Sequence, residues 1–186
     1  MCGRYTLRTN PIELAEIFEV EISNEILPRF NIAPTQLNPV VLHEQGQRLL
    51  SLMRWGFIPP WAKDHKIGYR MINARSEEVA KSYKPSLKSK RCLVLADGWY
   101  EWKNKQPYHF RMVDEQPFAF AGLWSTWNDL QTFTIFTAES AGVAASYHDR
   151  MPVILPCDAY DVWIDSNLDG EDLIEDMVHN RVTNIE

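Results

Sequence analysis

Alternating hydrophobic and polar positions divide this chain into many short segments. Residues 5–7 alternate and predict a short strand that would hold the N-terminus on a sheet. Residues 39–43 and 48–55 are rich in Val and Leu, and Gln45-Gly46 between them is typical of a turn, so a β-hairpin is predicted. From residue 92 the pattern is again strand-like, with turn residues between the segments. We predict an antiparallel meander over residues 92–96, 99–102, 108–113, 118–123 and 132–137.

Short helices are predicted between and after these strands. Asn10 can cap a helix because its side chain can accept a hydrogen bond from the first turn, and Pro11 suits the first helical position. Ser76 can cap a second helix that runs through Ser82. The later pattern predicts helices over residues 141–146, 158–164 and 171–178, with a strand over residues 153–155.

Two segments are predicted to be loops. Residues 29–35 are interpreted as an ordered polar loop, and residues 55–61 as a surface loop carrying aromatic side chains, because Pro59 and Pro60 interrupt any regular element there. Strands and short helices in this order predict an α+β fold. No shift in composition marks a second domain, so we expect a single domain over residues 1–186.

The composition is that of a globular protein with one substantial core. Hydrophobic residues make up 45% of the 186 residues and charged residues 24%, which argues against general disorder. The net charge is −6, the wrong sign for holding nucleic acid by bulk electrostatics. Acidic residues concentrate near the C-terminus, so the earlier chain is nearly balanced in charge.

The cysteines indicate a reducing compartment. Cys2, Cys92 and Cys157 are an odd number without CxxC spacing, which disfavours a disulfide framework and a structural zinc site. Cys92 lies in an apolar run and is expected to be buried. No segment has the pattern of a secretory signal or a membrane span, so we expect a cytoplasmic protein, associated with the nucleoid if the source is bacterial.

Cys2 offers unusual chemistry if Met1 is removed. The residue would then carry an α-amine with a pKa of ~8 and a thiol with a pKa of ~8.5, each keeping a nucleophilic fraction at neutral pH. Such a 1,2-aminothiol condenses with an aldehyde, first as an imine and then as a five-membered thiazolidine ring. Many proteins begin Met-Cys by chance, so the dipeptide gains meaning only from the rest of the sequence.

Glu101 and His148 are candidates for proton transfer. Glu101 lies between Tyr100 and Trp102, and burial by those rings would raise its pKa toward neutrality; an exposed edge carboxylate is the plainer alternative. An imidazole exchanges protons near physiological pH, and His148 and Arg150 would project to one face of an extended backbone. A hydrogen-bonded structural histidine is the alternative for His148.

Together these segments resemble the SRAP family, the SOS response-associated peptidase fold that includes sensors of abasic DNA. The resemblance is carried by six motifs in order, at residues 1–5, 29–35, 55–61, 72–77, 91–102 and 148–152. It implies an antiparallel, barrel-like β core with short flanking helices. It also implies a protein that loses Met1 and traps the aldehyde of an abasic site in single-stranded DNA as a thiazolidine on Cys2.

The resemblance also implies a role for each site residue. Cys2 would be the nucleophile, Asn73 would orient the adduct, Glu101 would move protons for imine formation and Met1 removal, and His148 would be the general acid on the deoxyribose. Six further residues would contact DNA: Arg4, Arg75 and Arg150 the phosphates, and Asn31, Pro34 and Trp61 the path of the strand. Single-stranded abasic DNA would be the partner of a monomer that needs no metal and no cofactor.

Two other functions stay open on the sequence. One is an N-terminal-cysteine amidohydrolase or peptidase that uses Cys2 and His148 on external substrates. The other is a noncovalent reader of modified DNA that binds through aromatic and arginine side chains, with Cys2 incidental.

Overall fold

The computed structural model describes residues 2–22 and 26–186. Within these residues it has twelve strands: β1 (Arg4–Leu7), β2 (Arg29–Ile32), β3 (Leu37–Glu44), β4 (Gln47–Trp55), β5 (Asn73–Arg75), β6 (Arg91–Ala96), β7 (Gly98–Lys103), β8 (Gln106–Phe110), β9 (Phe118–Trp127), β10 (Leu130–Glu139), β11 (Arg150–Pro152) and β12 (Ile154–Leu155). The helices are α1 (Pro11–Phe18), α2 (Ser76–Ser82), α3 (Lys84–Ser89), α4 (Tyr160–Ile164) and α5 (Gly170–His179). Short 3-10 helices cover His65–Tyr69, Gly142–Ser146 and Cys157–Ala159.

Five strands close into a barrel. β3 pairs with β4 and β6, β6 with β9, and β9 with β10, all antiparallel. β10 then pairs with β4 in the parallel direction, which completes the circuit. Closure removes the free edges that an open sheet of these strands would expose. The expectation of an α+β fold with a barrel-like core and short flanking helices is confirmed.

A smaller sheet, in the order β2-β1-β7-β8, packs against the barrel. Its strand β1 contributes Tyr5, whose ring lies edge-on to Trp55 at 5.1 Å and to Phe120 at 6.0 Å between centroids. Both partners belong to barrel strands, and one continuous hydrophobic core includes side chains from both sheets. The N-terminal segment is therefore fixed against the barrel by core packing.

Arg91 ties the flanking helices to the barrel. Its guanidinium is buried and donates to the backbone carbonyls of Trp163 at 2.5 Å, Lys88 at 3.0 Å and Leu168 at 3.0 Å. These carbonyls come from the ends of helices and from the loop after α4, where backbone acceptors lack helical partners. A buried charge is thus compensated by hydrogen bonds.

Several local predictions are confirmed. Residues 5–7 form most of β1, and the hairpin around Gln45-Gly46 is formed by β3 and β4. Helix α1 begins at Pro11, and the Asn10 side chain accepts a hydrogen bond from the backbone N–H of Glu13 at 3.0 Å. The helix predicted over residues 141–146 is a 3-10 helix. Cys92 is fully buried.

The predicted meander is wrong in its connections. β6 belongs to the barrel, whereas β7 and β8 belong to the smaller sheet, so the chain changes sheets at Asp97. β8 ends at Phe110 rather than at residue 113. β4 and β5 each run parallel to β10, a pairing between distant segments that alternation cannot reveal.

Both predicted loops also need correction. Residues 29–32 form β2, because β1 offers them an antiparallel partner. In the segment over residues 55–61, Trp55 and Phe57 are buried, and Trp61 is the exposed aromatic residue. Ser76 is the first helical residue of α2 rather than its cap; the cap position belongs to Arg75, whose side chain makes no capping hydrogen bond.

Among the residues that the structure describes, no helix is long and apolar enough to cross a membrane.

Candidate functional site

Cys2 lies two residues before the start of β1 and belongs to the hydrophobic core. It is fully buried, although it is next to the start of the chain. β1 pairs with β7, so that Arg4 is opposite Tyr100 and Tyr5 is opposite Trp99. The side-chain amide of Asn73 donates a hydrogen bond to the backbone carbonyl of Cys2 at 2.8 Å. Two separate segments, β7 and β5, therefore position the predicted nucleophile.

Glu101 comes to Cys2 from β7. Its side chain is buried, with 1% of the residue exposed, while the neighbouring Trp102 is 43% exposed. Successive side chains of a strand point to opposite faces, so the flanking rings do not provide the burial that the sequence suggested. The protein interior provides it, and burial is the largest cause that raises the pKa of Glu101 above the ordinary value for glutamate.

The thiol of Cys2 is held in its neutral form. Burial raises its pKa well above the ordinary value for cysteine, and the negative charge of Glu101 raises it further. The sulfur lies 3.8 Å from the backbone carbonyl of Arg4. In the chain that still carries Met1, burial therefore disfavours the thiolate. The nucleophilic fraction expected of Cys2 after removal of Met1 stays a prediction.

His148 joins the group from the turn before β11. Its positive form lowers the pKa of Glu101 and the charge of Asp149 raises it, which places both side chains within electrostatic reach of Glu101. The Nδ1 atom of His148 accepts a hydrogen bond from the backbone N–H of Arg150 at 2.9 Å. It also lies 2.7 Å from Oδ1 of Asp149. The structure thus brings together Cys2, Asn73, Glu101 and His148.

β10 explains how residues so far apart in the chain meet. β5, which begins with Asn73, pairs with β10 so that Arg75 is opposite Thr137. β11, which follows His148, pairs with the same part of β10, so that Pro152 is also opposite Thr137. The two segments therefore flank one strand at one end of the barrel.

A cavity of about 330 Å³ lies beside β5. Asn73 and Arg75 line it together with Arg70, Glu78 and Tyr83. Burial raises the pKa of Tyr83 to about 12, so its hydroxyl stays protonated at neutral pH. Residues with one amide, two guanidinium groups and one carboxylate therefore line a cavity next to the buried site.

The six residues predicted to contact DNA differ in how accessible they are. Trp61 is 75% exposed. Arg4 donates a hydrogen bond to the exposed side chain of Asn31 at 3.0 Å, which places these two predicted contacts side by side. Pro34 is partly buried, and the Arg75 side chain is exposed, with a loose ion pair to Glu78 at 3.8 Å. These side chains are available to a ligand on the surface.

Arg150 is occupied within the protein. Its guanidinium donates to both carboxylate oxygens of Glu77, at 2.7 and 3.0 Å, and to the carbonyl of Thr137 at 2.5 Å. The hydrogen bond from Arg150 is the largest cause of the lowered pKa of Glu77. A phosphate at Arg150 would have to share the guanidinium with this carboxylate.

Sequence reasoning missed Glu77 and Asp149 as members of the site. In the sequence both residues stand out only as parts of the motifs over residues 72–77 and 148–152. Glu77 meets Arg150 because β5 and β11, which are distant in sequence, both pair with β10. Asp149 meets His148 because the two residues are adjacent in one turn. Within the described residues there is no group of three or more His, Cys, Asp or Glu side chains able to hold a metal ion.

Comparisons with known proteins identify the family of this chain. The family described as "SOS response associated peptidase (SRAP)" matches residues 1–185. The abasic site processing protein YoqW of Bacillus subtilis is 37% identical over 193 residues, covering 96% of this chain and 86% of the relative. The abasic site processing protein YedK of Escherichia coli is 30% identical over 192 residues, covering 94% and 84%.

A solved structure supports the fold independently. A crystal structure of a protein from Bacteroides thetaiotaomicron superposes with a TM-score of 0.86 at 22% identity, covering 95% of this chain and 86% of the other. At that identity the likeness concerns the fold alone. The family match over nearly the whole chain shows that the protein belongs to the SOS response associated peptidase (SRAP) family.

Proposed function

We propose that this protein processes abasic sites in single-stranded DNA by forming a covalent crosslink through Cys2 once Met1 has been removed. The observation that carries the proposal is the convergence of Asn73, Glu101 and His148 on a buried Cys2. Its curated relatives at 30–37% identity are named abasic site processing proteins. A DNA-processing role fits the family to which the chain belongs.

The crosslink is a condensation in two steps. The α-amine of Cys2 attacks the aldehyde carbon of the ring-opened sugar, and loss of one water gives an imine. The thiol then adds across the C=N bond, with its sulfur on carbon and its proton on nitrogen, and closes the thiazolidine. Because the buried thiol is neutral, its proton must leave the sulfur as the C–S bond forms, and this requires a nearby group that can transfer it.

Glu101 supplies the proton transfer in this scheme. A carboxyl group with a raised pKa holds its proton to higher pH than an ordinary glutamate, so it can donate to the departing hydroxyl and recover the proton afterwards. Asn73 holds the Cys2 carbonyl and so fixes the terminus in front of the sugar. His148 acts as general acid on the sugar ring oxygen during ring opening.

Removal of Met1 belongs to the same proposal. An acylated Cys2 nitrogen cannot form an imine, so hydrolysis of the Met1–Cys2 peptide bond must come first and consumes one water. We assign this autopeptidase step to Cys2 and Glu101, which lie together in the site. Intact mass spectrometry of the purified chain before and after incubation measures the loss of one methionine, and Glu101→Gln is expected to slow it.

The surface around the site suits single-stranded DNA. The exposed Trp61 offers a ring for base stacking, and Arg4 and Arg75 offer charges for phosphates beside the lesion. Duplex DNA would not leave its bases free to stack on a side chain. Action as a monomer in the cytoplasm is part of the proposal and is tested by sedimentation and by fractionation of cells.

The deciding experiment uses processed protein and an oligonucleotide with one abasic site. We expect an adduct that survives denaturation, whose mass equals the sum of the two components minus one water. Cys2→Ala should abolish the adduct, whereas Cys157→Ala, which removes an exposed thiol elsewhere, should not.

Two results would contradict the proposal. One is the absence of an adduct with processed protein. The other is an adduct that persists in Cys2→Ala, since the link would then lie elsewhere. Salt-dependent binding to DNA that survives Cys2→Ala without any adduct would indicate a noncovalent reader instead. Hydrolysis of small amides without DNA would indicate an amidohydrolase.

A further inference from the structure

The turn that carries His148 is anchored on both sides of the histidine. The backbone N–H of His148 donates to the carbonyl of Ala144 at 3.1 Å, within the preceding 3-10 turn. The carbonyl of Asp149 accepts from the N–H of Ser140 at 2.9 Å, which extends the pairing of β10 with β11 by one residue. The backbone of Asp149 is therefore fixed, and its carboxylate reaches the imidazole without any movement of the chain.

Two groups compete for one atom of the imidazole. The backbone N–H of Arg150 lies 2.9 Å from Nδ1 of His148, and Oδ1 of Asp149 lies 2.7 Å from the same atom. Nδ1 has a single in-plane position, which holds either a lone pair or a hydrogen. The lone pair accepts from Arg150, whereas the hydrogen is donated to Asp149. The two contacts therefore belong to two different states of the ring.

Other charged side chains lie near His148, but each of them has a different role from the contact that Asp149 makes with Nδ1. Glu101 on β7 acts on His148 through its charge and is needed for its own proton transfer. Lys103, also on β7, donates to the carbonyl of Ser146 at 2.7 Å. The Arg150 guanidinium is paired with Glu77. Asp149 is thus the carboxylate that contacts the ring among these groups.

We propose that Asp149 is the positioning residue of His148: its carboxylate accepts the Nδ1–H hydrogen bond and so leaves Nε2 to exchange the proton with the sugar. The inference rests on the general-acid role of His148 in the proposed function. The doubly protonated ring gives its Nε2 proton to the departing ring oxygen, and the neutral ring that remains still carries Nδ1–H, bonded to Asp149. As the bond between the anomeric carbon and the ring oxygen breaks, the anomeric hydroxyl becomes the aldehyde carbonyl and gives up its proton. The lone pair on Nε2 takes that proton, and the imidazole keeps its orientation throughout.

Without the carboxylate, the backbone N–H of Arg150 decides the state of the ring. It favours a lone pair at Nδ1 and hence a neutral ring with its hydrogen on Nε2. Asp149 is 86% exposed, so solvent screens its charge and the effect is modest. In Asp149→Asn we expect the fraction of ring carrying Nδ1–H at a given pH to fall roughly 2- to 5-fold.

Long-range ¹⁵N–¹H spectra of the imidazole nitrogens measure this fraction without DNA. The chain has five histidines, and the resonances of His148 are those missing in His148→Gln. Asp129→Asn is the matched control, because Asp129 is exposed in the turn before β10, about 30 Å along that strand from Glu139. The inference is overturned if the fraction of His148 rings carrying Nδ1–H is the same in Asp149→Asn as in Asp129→Asn.

The rate of crosslinking under single-turnover conditions supplies the second measurement. Asp149→Asn should slow the reaction roughly 2- to 5-fold, with unchanged DNA affinity and an unchanged melting temperature. Combining it with His148→Gln should cause no further loss, because Asp149 acts through the ring. A further loss in the double variant contradicts the positioning role.

The two measurements separate the possible failures. If the wild-type protein forms no adduct but the ring states still depend on Asp149, the proposed function fails and the pairing of Asp149 with His148 stands. If the adduct forms and neither measurement responds to Asp149→Asn, the proposed function stands and this inference fails.

Discussion

Two buried carboxylates, Asp97 and Glu101, lie four positions apart on the same stretch of chain, and the protein treats them in opposite ways. Asp97 is 3% exposed and Glu101 is 1% exposed. Asp97 accepts hydrogen bonds from the Thr6 hydroxyl at 2.6 Å, from the Thr9 N–H at 2.9 Å and from the Thr9 hydroxyl at 3.1 Å. Arg8 adds its backbone N–H and, at 3.2 Å, its guanidinium.

The pKa values of the two groups move in opposite directions. Burial by itself would raise the pKa of Asp97, but the hydrogen bonds from Thr6, Arg8 and Thr9 and the charge of Arg8 together lower it. Burial remains the dominant influence at Glu101 and raises its pKa. A carboxylate enclosed by donors is a structural anchor, here at the point where the chain leaves the barrel for the smaller sheet. A buried carboxyl group with a raised pKa holds its proton to higher pH and is suited to exchanging it.

Glu101→Gln should have the largest effect, and that effect should be on catalysis. The amide keeps the shape of the side chain but cannot donate and recover a proton, so we expect crosslinking to slow by about 10²- to 10⁴-fold. DNA affinity, measured by fluorescence anisotropy, should change little. An equal fall in affinity and rate would mean that Glu101 binds DNA rather than transfers protons.

Asp97→Asn should instead weaken the fold. It removes the charge that Thr6, Arg8 and Thr9 surround and leaves buried donors poorly matched, so we expect a loss of about 3 kcal/mol in the free energy of unfolding. Urea unfolding monitored by tryptophan fluorescence measures the loss. The crosslinking rate of the protein that remains folded should stay within about threefold of wild type. A variant that is stable but inactive would contradict the structural role.

The smallest expected effect is on the pH dependence of the free energy of unfolding, to which Glu101 and Asp97 should contribute with opposite sign. Glu101 has a raised pKa, so its stabilising contribution is complete below the unfolded value of about 4.3 and is lost as pH rises through the folded value. Asp97 has a lowered pKa, so its contribution is present above the unfolded value of about 3.9 and is lost as pH falls through the folded value.

The stability of Glu101→Gln relative to wild type should therefore rise as pH increases above about 4.3. That of Asp97→Asn should fall as pH increases toward about 3.9 and should then stay level. Urea midpoints of the three proteins from about pH 2 to pH 8 give both slopes. Slopes of the same sign would show that the two carboxyl groups do not differ as described.

The sequence was most informative where local chemistry decides structure. Asn10 and Pro11 fixed the start of α1, and Gln45-Gly46 fixed the turn of the first hairpin, because capping and turn geometry depend on a few adjacent residues. The strands and helices with the clearest patterns were found in nearly their observed positions. The segment over residues 29–32 was missed because its polar residues form a strand only when β1 is beside them.

The candidate residues were named from family motifs, and the structure decided how they meet. The sequence alone determined which groups are available: a cysteine at position 2, a carboxylate at Glu101, an imidazole at His148 and an amide at Asn73. Only the tertiary structure brought them together, because parallel pairing of β5 with β10 and antiparallel pairing of β11 with β10 join residues that are distant in sequence. It also decided that Glu101 is buried with a raised pKa while Asp97 is hydrogen-bonded with a lowered one. Burial and hydrogen bonding depend on the neighbours of a side chain in space, which no local pattern of residues specifies.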